Sequence, residues 1–259
     1  MKQWDDVVGQ LQHATLTARA LPALPPQAYD LPTGYAMQRE ALRQRQRRGE
    51  QLSGWKVAFA GSAAQKRMGI QEPVLGALTD AMAVEPGSSV ALASLIQPKL
   101  EIELACFLGR TLGPGKHSDE AILACVSAVA PAFEIADCRW QGWSFGVGAF
   151  LADNAAAGLY CVGPCIELDP GQIPHVNYCL ERDGVACGSG DTHTREDTPQ
   201  VNLCWLIRRL LADGQRLEAG QVVLSGALLP PMDIQPAQYR LHMLGTELAL
   251  FFHADTVAP

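Results

Sequence analysis

Two glutamates separated by one residue, Glu101 and Glu103, carry the strongest chemical signal in the sequence. They alternate with apolar residues over 98–107, and side chains two apart on a β-strand point to the same side, with Cα atoms roughly 7 Å apart. Two carboxylates so close in an apolar segment raise each other's pKa and destabilise the fold unless a cation lies between them. A third acid, Glu134, lies in a second apolar stretch at 131–136, and three carboxylates would form the all-oxygen site that Mg²⁺ or Mn²⁺ prefers. The alternative is that Glu101 and Glu103 lie on the solvent face of an ordinary amphipathic strand.

Four other residues are candidates for binding or catalysis. Lys56 lies among apolar residues in a predicted strand, where it either extends toward solvent or occupies a pocket beside anions. Asp80 lies near a predicted strand end and is either catalytic or a cap. Ser225 and Gly226 end another predicted strand, at a point where the backbone could approach a ligand closely.

The composition is typical of a globular enzyme and excludes several other classes. The 259 residues suffice for one large or two small domains, and 48% of them are hydrophobic and 18% charged. A formal net charge of −7 argues against nucleic acid or an anionic membrane as partner. No run of 18 apolar residues occurs and the N-terminus lacks the apolar segment of a signal peptide, so we expect a cytoplasmic protein. The eight cysteines contain no Cys-x-x-Cys pair, which predicts free thiols rather than a zinc site.

Hydrophobic periodicity and capping residues predict the helices and strands that carry these residues. The pattern predicts a helix over 4–20 and a second helix over 33–48, with Thr33 as its N-cap and a basic, solvated outer face. A strand at 52–58 is followed by a short helix over 63–70 and by a turn or loop at 73–76.

Further along, Ser118 is predicted to cap a helix whose apolar stripe runs to Val129 and which Pro131 ends. The chain then enters the strand that carries Glu134, and another strand follows at 159–162.

The last third of the chain is predicted to be mainly β-structure. A hairpin over 175–187 turns at Asp183-Gly184, and the polar segment 188–197 is predicted to be a mobile loop that could act as a lid. Thr198 and Pro199 form a cap and first turn for the next helix. Three strands are then predicted, at 221–225, 239–243 and 247–252.

Six short segments together resemble one known family. They are Gly-Trp-Lys-Val (54–57), Gln65 with Met-Gly-Ile (68–70), Gln-Pro-Lys-Leu-Glu-Ile-Glu (97–103), Pro-Ala-Phe-Glu-Ile (131–135), Ala-Asp-Asn-Ala (152–155) and Leu-Ser-Gly-Ala-Leu (224–228). In this order and spacing they are similar to the hydratase/decarboxylase branch of the fumarylacetoacetate hydrolase superfamily, which contains 2-oxopent-4-enoate hydratase and 4-oxalocrotonate decarboxylase. The resemblance runs from about residue 54 to residue 252, and it favours metal binding by the glutamates over the solvent-face alternative.

The resemblance implies roles for individual residues. The family's metal ligands match Glu101, Glu103 and Glu134. Lys56 matches a lysine implicated in substrate binding and proton transfer, Asp80 matches an acid that we take as catalytic, and Ser225 and Gly226 match the substrate-side Ser/Thr-Gly. The sequence departs from the family pattern at Ala58, where glycine is common, and at Thr198, which follows a loop about two residues longer than usual.

The family's substrates are short 2-oxo or 2-hydroxydienoic acids, bound beside Mg²⁺ or Mn²⁺. The resemblance favours a lyase that hydrates 2-hydroxypenta-2,4-dienoate to 4-hydroxy-2-oxopentanoate in aromatic-compound catabolism. One alternative is decarboxylation of 4-oxalocrotonate, and another is a non-catalytic ligand-binding relative or partner subunit. Four cations could face the distal cavity and favour the decarboxylase, whereas an apolar wall would favour the hydratase; the four are Lys99, Arg139, His193 and Arg195.

The fold that the resemblance implies is α+β. It consists of a mixed, strongly bent β-roll or sandwich flanked by helices, with residues 1–52 as an N-terminal helical segment and 53–259 as the catalytic domain. A homo-oligomer is the usual state in this family, and a complex of hydratase with decarboxylase is a further expectation.

Overall fold

The computed structural model describes residues 4–169 and 171–254. The described residues form six α-helices: α1 (Asp5–Thr17), α2 (Leu31–Arg47), α3 (Ser62–Met68), α4 (Asp119–Leu123), α5 (Val147–Ala152) and α6 (Pro199–Ala212). They also form thirteen strands: β1 (Leu52–Ala58), β2 (Val74–Thr79), β3 (Ser89–Ala91), β4 (Pro98–Leu108), β5 (Val126–Asp137), β6 (Ala157–Val162), β7 (Ile166–Glu167), β8 (Asn177–Arg182), β9 (Val185–Asp191), β10 (Val222–Leu224), β11 (Met232–Asp233), β12 (Ala237–Met243) and β13 (Thr246–His253).

The strands form two sheets. The larger has the order β2-β1-β10-β4-β5-β6, with β11 paired to β4 and β7 paired to β5, and the smaller has the order β3-β13-β12-β8-β9. β1 and β10 are parallel while β4 and β5 are antiparallel, so the larger sheet is mixed. The long β4–β5 ladder places Glu101 directly opposite Glu134.

The larger sheet curls until its outer strands meet. Asn154, which precedes β6, bonds to the backbone of Ala77 in β2 in both directions: Ala77 N donates to Oδ1 at 2.9 Å, and Nδ2 donates to Ala77 O at 2.8 Å. Tyr160 Oη in β6 also donates to Ser53 Oγ in β1 at 2.9 Å. Three strand steps separate β1 from β5 in the sheet order, which is about 14 Å in a flat sheet. The curl brings the side chains of these two strands into contact.

Most predicted elements are present, and the strand predicted for the two glutamates is confirmed. In β4 the apolar side chains of Leu100, Ile102 and Leu104 are all at most 1% exposed. The hairpin turn at Asp183-Gly184 joins β8 to β9. Thr198 caps α6, because its Oγ1 accepts a hydrogen bond from Val201 N. All eight cysteines are free thiols.

Some predicted boundaries are wrong for identifiable reasons. The N-cap of α2 is Asp30 rather than Thr33, whose backbone N–H donates to Asp30 Oδ1 at 2.8 Å. Residues 74–76, predicted as part of a turn, belong to β2, which pairs with β1 along its whole length. The polar loop begins later than predicted, because β9 continues to Asp191.

The helix that Ser118 caps is also shorter than predicted. It ends at Leu123, and the chain enters β5 at Val126, where pairing with β4 overrides the helical spacing of the valines. Pro131 therefore lies inside a strand. It is tolerated there because β5 changes partner at this point, from β7 at Ala128 and Val129 to β6 from Ala132 onward.

The proposed division after residue 52 stays a prediction. Val8 and Leu11 of α1 belong to the same hydrophobic core as the residues of both sheets. No helix in the described ranges is long and apolar enough to cross a membrane.

Candidate metal centre and active site

A cavity of about 710 Å³ opens beside β1 and β4. Lys56 and Glu101 line it together with four aromatic residues. The cavity therefore combines charged groups with an apolar lining, the arrangement expected of a site that orients a small amphipathic ligand.

The three predicted glutamates converge beside this cavity, which Glu101 lines. One carboxylate oxygen from each of Glu101, Glu103 and Glu134 lies within 4.8 Å of the others. Glu103 and Glu134 are fully buried, while Glu101 is partly exposed toward the cavity. Cross-strand pairing brings Glu101 and Glu134 together, and the two-residue spacing in β4 puts Glu103 on the same face as Glu101.

Lys56 reaches this cluster from the opposite wall of the roll. Its Nζ lies 2.8 Å from Glu134 Oε1, and the side chain is only 2% exposed. Gly76 pairs with Lys56 across β1 and β2, and a Cβ there would lie 3.2 Å from Lys56 Cε and 2.7 Å from Asn154 O. Glycine at this position thus leaves the space through which the lysine passes. Lys56 therefore occupies a pocket beside anions and does not extend toward solvent.

Burial and mutual repulsion shift the pKa values of the acids in the absence of a cation. Burial first, and then the charge of Glu134, raise the pKa of Glu101 to about 7, although Lys56 opposes the shift. Burial and the charges of Glu134 and Glu101 raise the pKa of Glu103 well above its ordinary value. Burial lowers the pKa of Lys56, but the carboxylates, Glu134 foremost, outweigh burial and raise it overall. One lysine therefore does not neutralise three buried acids.

The donor set fits a divalent metal ion. Glu103 Oε1 and both carboxylate oxygens of Glu134 are buried and receive no well-directed hydrogen bond; the contact between Glu134 and Lys56 is a close ion pair. Buried carboxylate oxygens without donors are costly unless a cation compensates them. Hard oxygen ligands of this kind suit Mg²⁺ or Mn²⁺ rather than softer metals.

Ser225 and Gly226 lie next to the cluster, although neither is among the residues that line the cavity. Gly226 N donates to Glu103 Oε2 at 2.6 Å, and Ser225 Oγ is buried with no hydrogen-bond partner. Gly226 has φ +97°, a backbone conformation that favours glycine. The chain turns away from β10 here and forms the cavity wall at residues 227–231.

Four aromatic rings form one wall of the cavity. The rings of Phe145 and Phe150 have centroids 5.0 Å apart, Phe59 lies 4.6 Å from Phe150, and Trp143 completes the wall. Such a wall excludes water from the substrate chain and holds conjugated carbon atoms by dispersion.

Two of the four cations considered for the distal site, Lys99 and Arg195, line the cavity, and each is paired with an acid. Lys99 Nζ lies 2.7 Å from Asp233 Oδ1, and Arg195 Nη2 lies 2.8 Å from Asp197 Oδ2. His193 and Arg139 are not among the cavity-lining residues, and Arg139 is buried in an ion pair with Asp153.

Asp80 is not brought to this site. Its side chain is exposed and lies outside the cavity lining, and its Oδ1 accepts hydrogen bonds from the backbone N–H groups of Gln51 and Ala81. The capping alternative is not confirmed either, because Thr79 is the N-cap of the short 3-10 helix that Asp80 begins. The Asp80 side chain instead holds the backbone of Gln51, and nothing in its surroundings supports a catalytic role.

Sequence reasoning missed three residues that shape the site. Gly76 lies in a segment predicted as a turn, and the role of Asn154 in closing the roll depends on a contact with a residue 77 positions away. Asn202 binds the backbone of Ser225 from α6. The position of Gly76 within the apolar run 74–78 was a usable sequence signal, because a glycine inside a strand often marks the close approach of another chain segment.

The pKa shifts predict an unusual pH dependence for the metal-free protein. Between pH 4.5 and about 7 the folded state retains protons on Glu101 that the unfolded chain has already lost. The folded state then binds more protons, so its free energy of unfolding falls as pH rises through this window. We expect Mn²⁺ to raise the Tm more at pH 8 than at pH 5, because protons compete with the metal at the lower pH.

Differential scanning fluorimetry at both pH values, with and without Mn²⁺, measures this effect. The variant Glu101→Gln should show a smaller fall in metal-free Tm between the two pH values. An equal rise on metal addition at pH 5 and pH 8 would contradict the assignment of these acids as ligands.

Comparison with known proteins adds sequence relatives and a fold relative. The sequence matches no family model. It is 34% identical over 237 residues to 2-hydroxyhexa-2,4-dienoate hydratase of Comamonas testosteroni, covering 88% of this chain and 89% of that protein. It is 32% identical over 213 residues to 2-keto-4-pentenoate hydratase of Paraburkholderia xenovorans, covering 82% and 79%.

Among solved structures, the chain is similar to 4-oxalocrotonate decarboxylase from Pseudomonas putida G7 in complex with magnesium and adipate. The TM-score is 0.89 at 21% identity, and the superposition covers 96% of each chain. This likeness confirms the predicted α+β architecture of a bent, mixed β-structure flanked by helices.

Proposed function

This chain belongs to the hydratase/decarboxylase branch of the fumarylacetoacetate hydrolase superfamily, and from that premise we propose that it is a divalent-metal-dependent lyase that hydrates 2-hydroxypenta-2,4-dienoate to 4-hydroxy-2-oxopentanoate. The observation that carries the proposal is the convergence of Glu101, Glu103 and Glu134 beside a cavity that Glu101 lines. The sequence relatives are named as hydratases of short dienoic or pentenoic acids, which supports the same substrate class.

Glu101, Glu103 and Glu134 would hold the metal, which we propose to be Mg²⁺ or Mn²⁺. The fold relative binds magnesium. When bound, the ion supplies Lewis-acid stabilisation of negative charge that develops on the 2-oxygen of the substrate.

Lys56 is the proposed proton-transfer residue. Its carboxylate neighbours favour the charged ammonium, so the side chain is ready to donate a proton to C5 of the dienol. Protonation at C5, with loss of the proton of the 2-hydroxyl group, gives an α,β-unsaturated 2-ketone. Water then adds across C3 and C4, with its hydroxyl group on C4 and its proton on C3. Lys56 Nζ is also 5.8 Å from the centroid of the Phe150 ring, so the aromatic wall begins beside the proton donor.

Ser225 and Gly226 are the proposed substrate-side groups. The free Oγ of Ser225 can donate a hydrogen bond to a substrate oxygen. The Gly226 N–H is already used by Glu103, so Gly226 contributes by orienting that ligand and by leaving space.

The test is a spectrophotometric assay of the purified protein. After treatment with a chelator, restored Mg²⁺ or Mn²⁺ should start the consumption of 2-hydroxypenta-2,4-dienoate and the formation of 4-hydroxy-2-oxopentanoate. Metal-dependent turnover of 4-oxalocrotonate alone would show the decarboxylase. No turnover of either acid would overturn the enzyme proposal and favour a non-catalytic ligand-binding relative or partner subunit.

One observation favours the decarboxylase as a second candidate. Lys99 lies two residues before Glu101, on the same face of β4, and lines the cavity. Its ammonium group has three N–H donors, and Asp233 accepts a hydrogen bond from one of them. The six-carbon diacid carries a second carboxylate that such a cation could bind.

Replacing Lys99 by methionine separates the two candidates. Loss of a hydrogen bond between charged groups costs about 1.5–3 kcal/mol, so in a decarboxylase Lys99→Met should lower kcat/KM for 4-oxalocrotonate by roughly 10- to 100-fold. In a hydratase the same variant should leave kcat/KM for 2-hydroxypenta-2,4-dienoate nearly unchanged. Lys116→Met, at an exposed lysine outside the cavity lining, is the matched control.

The assembly state stays a prediction from the family resemblance. A homo-oligomer and a complex of hydratase with decarboxylase are both expected, and gel filtration with multi-angle light scattering measures the first of these.

A further inference from the structure

One peptide group beside the metal site is hydrogen-bonded at both of its ends. Asn202 Nδ2 donates to Ser225 O at 2.8 Å, and Gly226 N donates to Glu103 Oε2 at 2.6 Å. Ser225 O and Gly226 N belong to the same peptide unit. Asn202 is thus connected to Glu103 through a single rigid plane.

The second bond determines which oxygen of Glu103 is available. Because Gly226 N occupies Oε2, only Oε1 is without a partner, and it is buried. A hydrogen bond to the carbonyl end of a peptide polarises its N–H and strengthens the bond that the N–H donates. Asn202 therefore favours one rotamer of Glu103, in which a single oxygen faces Glu101 and Glu134.

Asn202 is itself held firmly. It lies in the first turns of α6, is 4% exposed, and its Nδ2 also donates to Asp197 O at 3.3 Å. The space beside Gly226 is tight, since a Cβ there would lie 3.3 Å from Asn202 Nδ2 and 3.3 Å from the Ala60 Cβ.

The loop before α6 secures the same segment a few residues later. Arg195 pairs with Asp197 and donates to the backbone oxygens of Ala227 and Leu228 at 3.2 and 2.7 Å. Asn202 therefore lies where the loop, the helix and the ligand-bearing strand meet.

We propose that Asn202 is a positioning residue for the metal ligand Glu103, acting through the Ser225–Gly226 peptide. The proposal rests on the metal-dependent function proposed above. It predicts that the amide of Asn202, which touches neither the metal nor the substrate, controls how tightly the metal is held.

The test compares Mn²⁺ affinity in Asn202→Ala and in the isosteric Asn202→Leu with that of the wild-type chain. Free Mn²⁺ is measured by electron paramagnetic resonance during titration of the metal-free protein. Loss of a group that orients a metal ligand costs roughly 10- to 100-fold in metal affinity, so we expect both variants to bind Mn²⁺ at least about 10-fold more weakly. Asn177→Ala, at an exposed asparagine on β8, should bind as the wild type does.

Circular dichroism of the metal-free variants supplies the folded fraction, and the dissociation constants refer to folded protein only. Weaker Mn²⁺ binding by folded Asn202→Ala and Asn202→Leu supports the proposal. Wild-type affinity in the folded fraction of either variant overturns it and leaves Asn202 as a structural residue. If the wild-type chain binds no Mn²⁺, the metal-dependent function itself fails, and this outcome is distinct from the other two.

Discussion

Glu134→Gln is expected to lose both metal binding and turnover. Glu134 is fully buried, it lies opposite Glu101 in the β4–β5 ladder, and its carboxylate is in contact with Lys56. The neutral amide keeps the shape of the side chain but removes one charge from the ligand set and presents an N–H₂ group to the cation. The loss in Mn²⁺ affinity should exceed the roughly 10- to 100-fold that outer-shell substitutions cause.

The same substitution should not lower the thermal stability of the metal-free protein. Glu134 is the largest charge contribution that raises the pKa of Lys56, and it also raises the pKa values of Glu101 and Glu103. Removing it relieves the repulsion among the acids, so the metal-free Tm at pH 8 should not fall. Isothermal titration calorimetry with Mn²⁺ measures the affinity, and the exposed Glu167→Gln is a matched control. Near-wild-type affinity in Glu134→Gln would remove Glu134 from the ligand set.

Lys56→Met is expected to abolish turnover while keeping the metal. General acid–base catalysis contributes typically about 10²- to 10⁴-fold to rate, so kcat should fall by that amount. Methionine fills much of the volume that the lysine occupies beside Gly76, which limits the structural effect of the change.

Metal binding should be retained or strengthened in this variant, because the ammonium and the metal compete for the same carboxylates. Without either cation Glu134 is buried and unpaired, so Lys56→Met should lower the metal-free Tm and show a larger rise in Tm on adding Mn²⁺ than the wild type. Steady-state kinetics together with Mn²⁺ titration measures both effects. Loss of metal binding in Lys56→Met, or wild-type kcat, would contradict a proton-transfer role.

The two variants therefore differ in a way that a general loss of folding would not produce. Glu134→Gln should lose both metal binding and turnover, whereas Lys56→Met should lose turnover and keep metal binding. Equal loss of both properties in both variants would indicate only a damaged core.

The two glutamates of β4 could be predicted from the sequence because the pattern that identifies them is local. The Glu-x-Glu spacing and the alternation of Leu100, Ile102 and Leu104 fix which face of β4 carries the acids. That Glu134 lies directly opposite Glu101 depends on the register of β4 against β5, which no single strand encodes. Glu134 was a candidate because of its own apolar segment, and the family resemblance then favoured it as the third ligand.

Other features depend on tertiary contacts and were not predicted. The strand β2 was assigned to a turn because Pro73 and Gly76 suggest one, yet Gly76 is inside a ladder where it makes room for Lys56. Asp80 matched a family position by sequence, but its exposed side chain accepts hydrogen bonds from the backbone of Gln51 and Ala81 outside the cavity lining. The spacing of residues in the sequence predicts which face of a helix or strand carries each side chain. Which strands come into contact depends on the curl of the larger sheet.

An anomalous diffraction map of crystals grown with Mn²⁺ and a 2-oxo acid would locate the metal directly. We expect one manganese peak per chain between the carboxylates of Glu101, Glu103 and Glu134, with the keto acid extending toward Phe145 and Phe150. A manganese peak elsewhere, or these three carboxylates ordered around no metal at saturating Mn²⁺, would contradict this expectation.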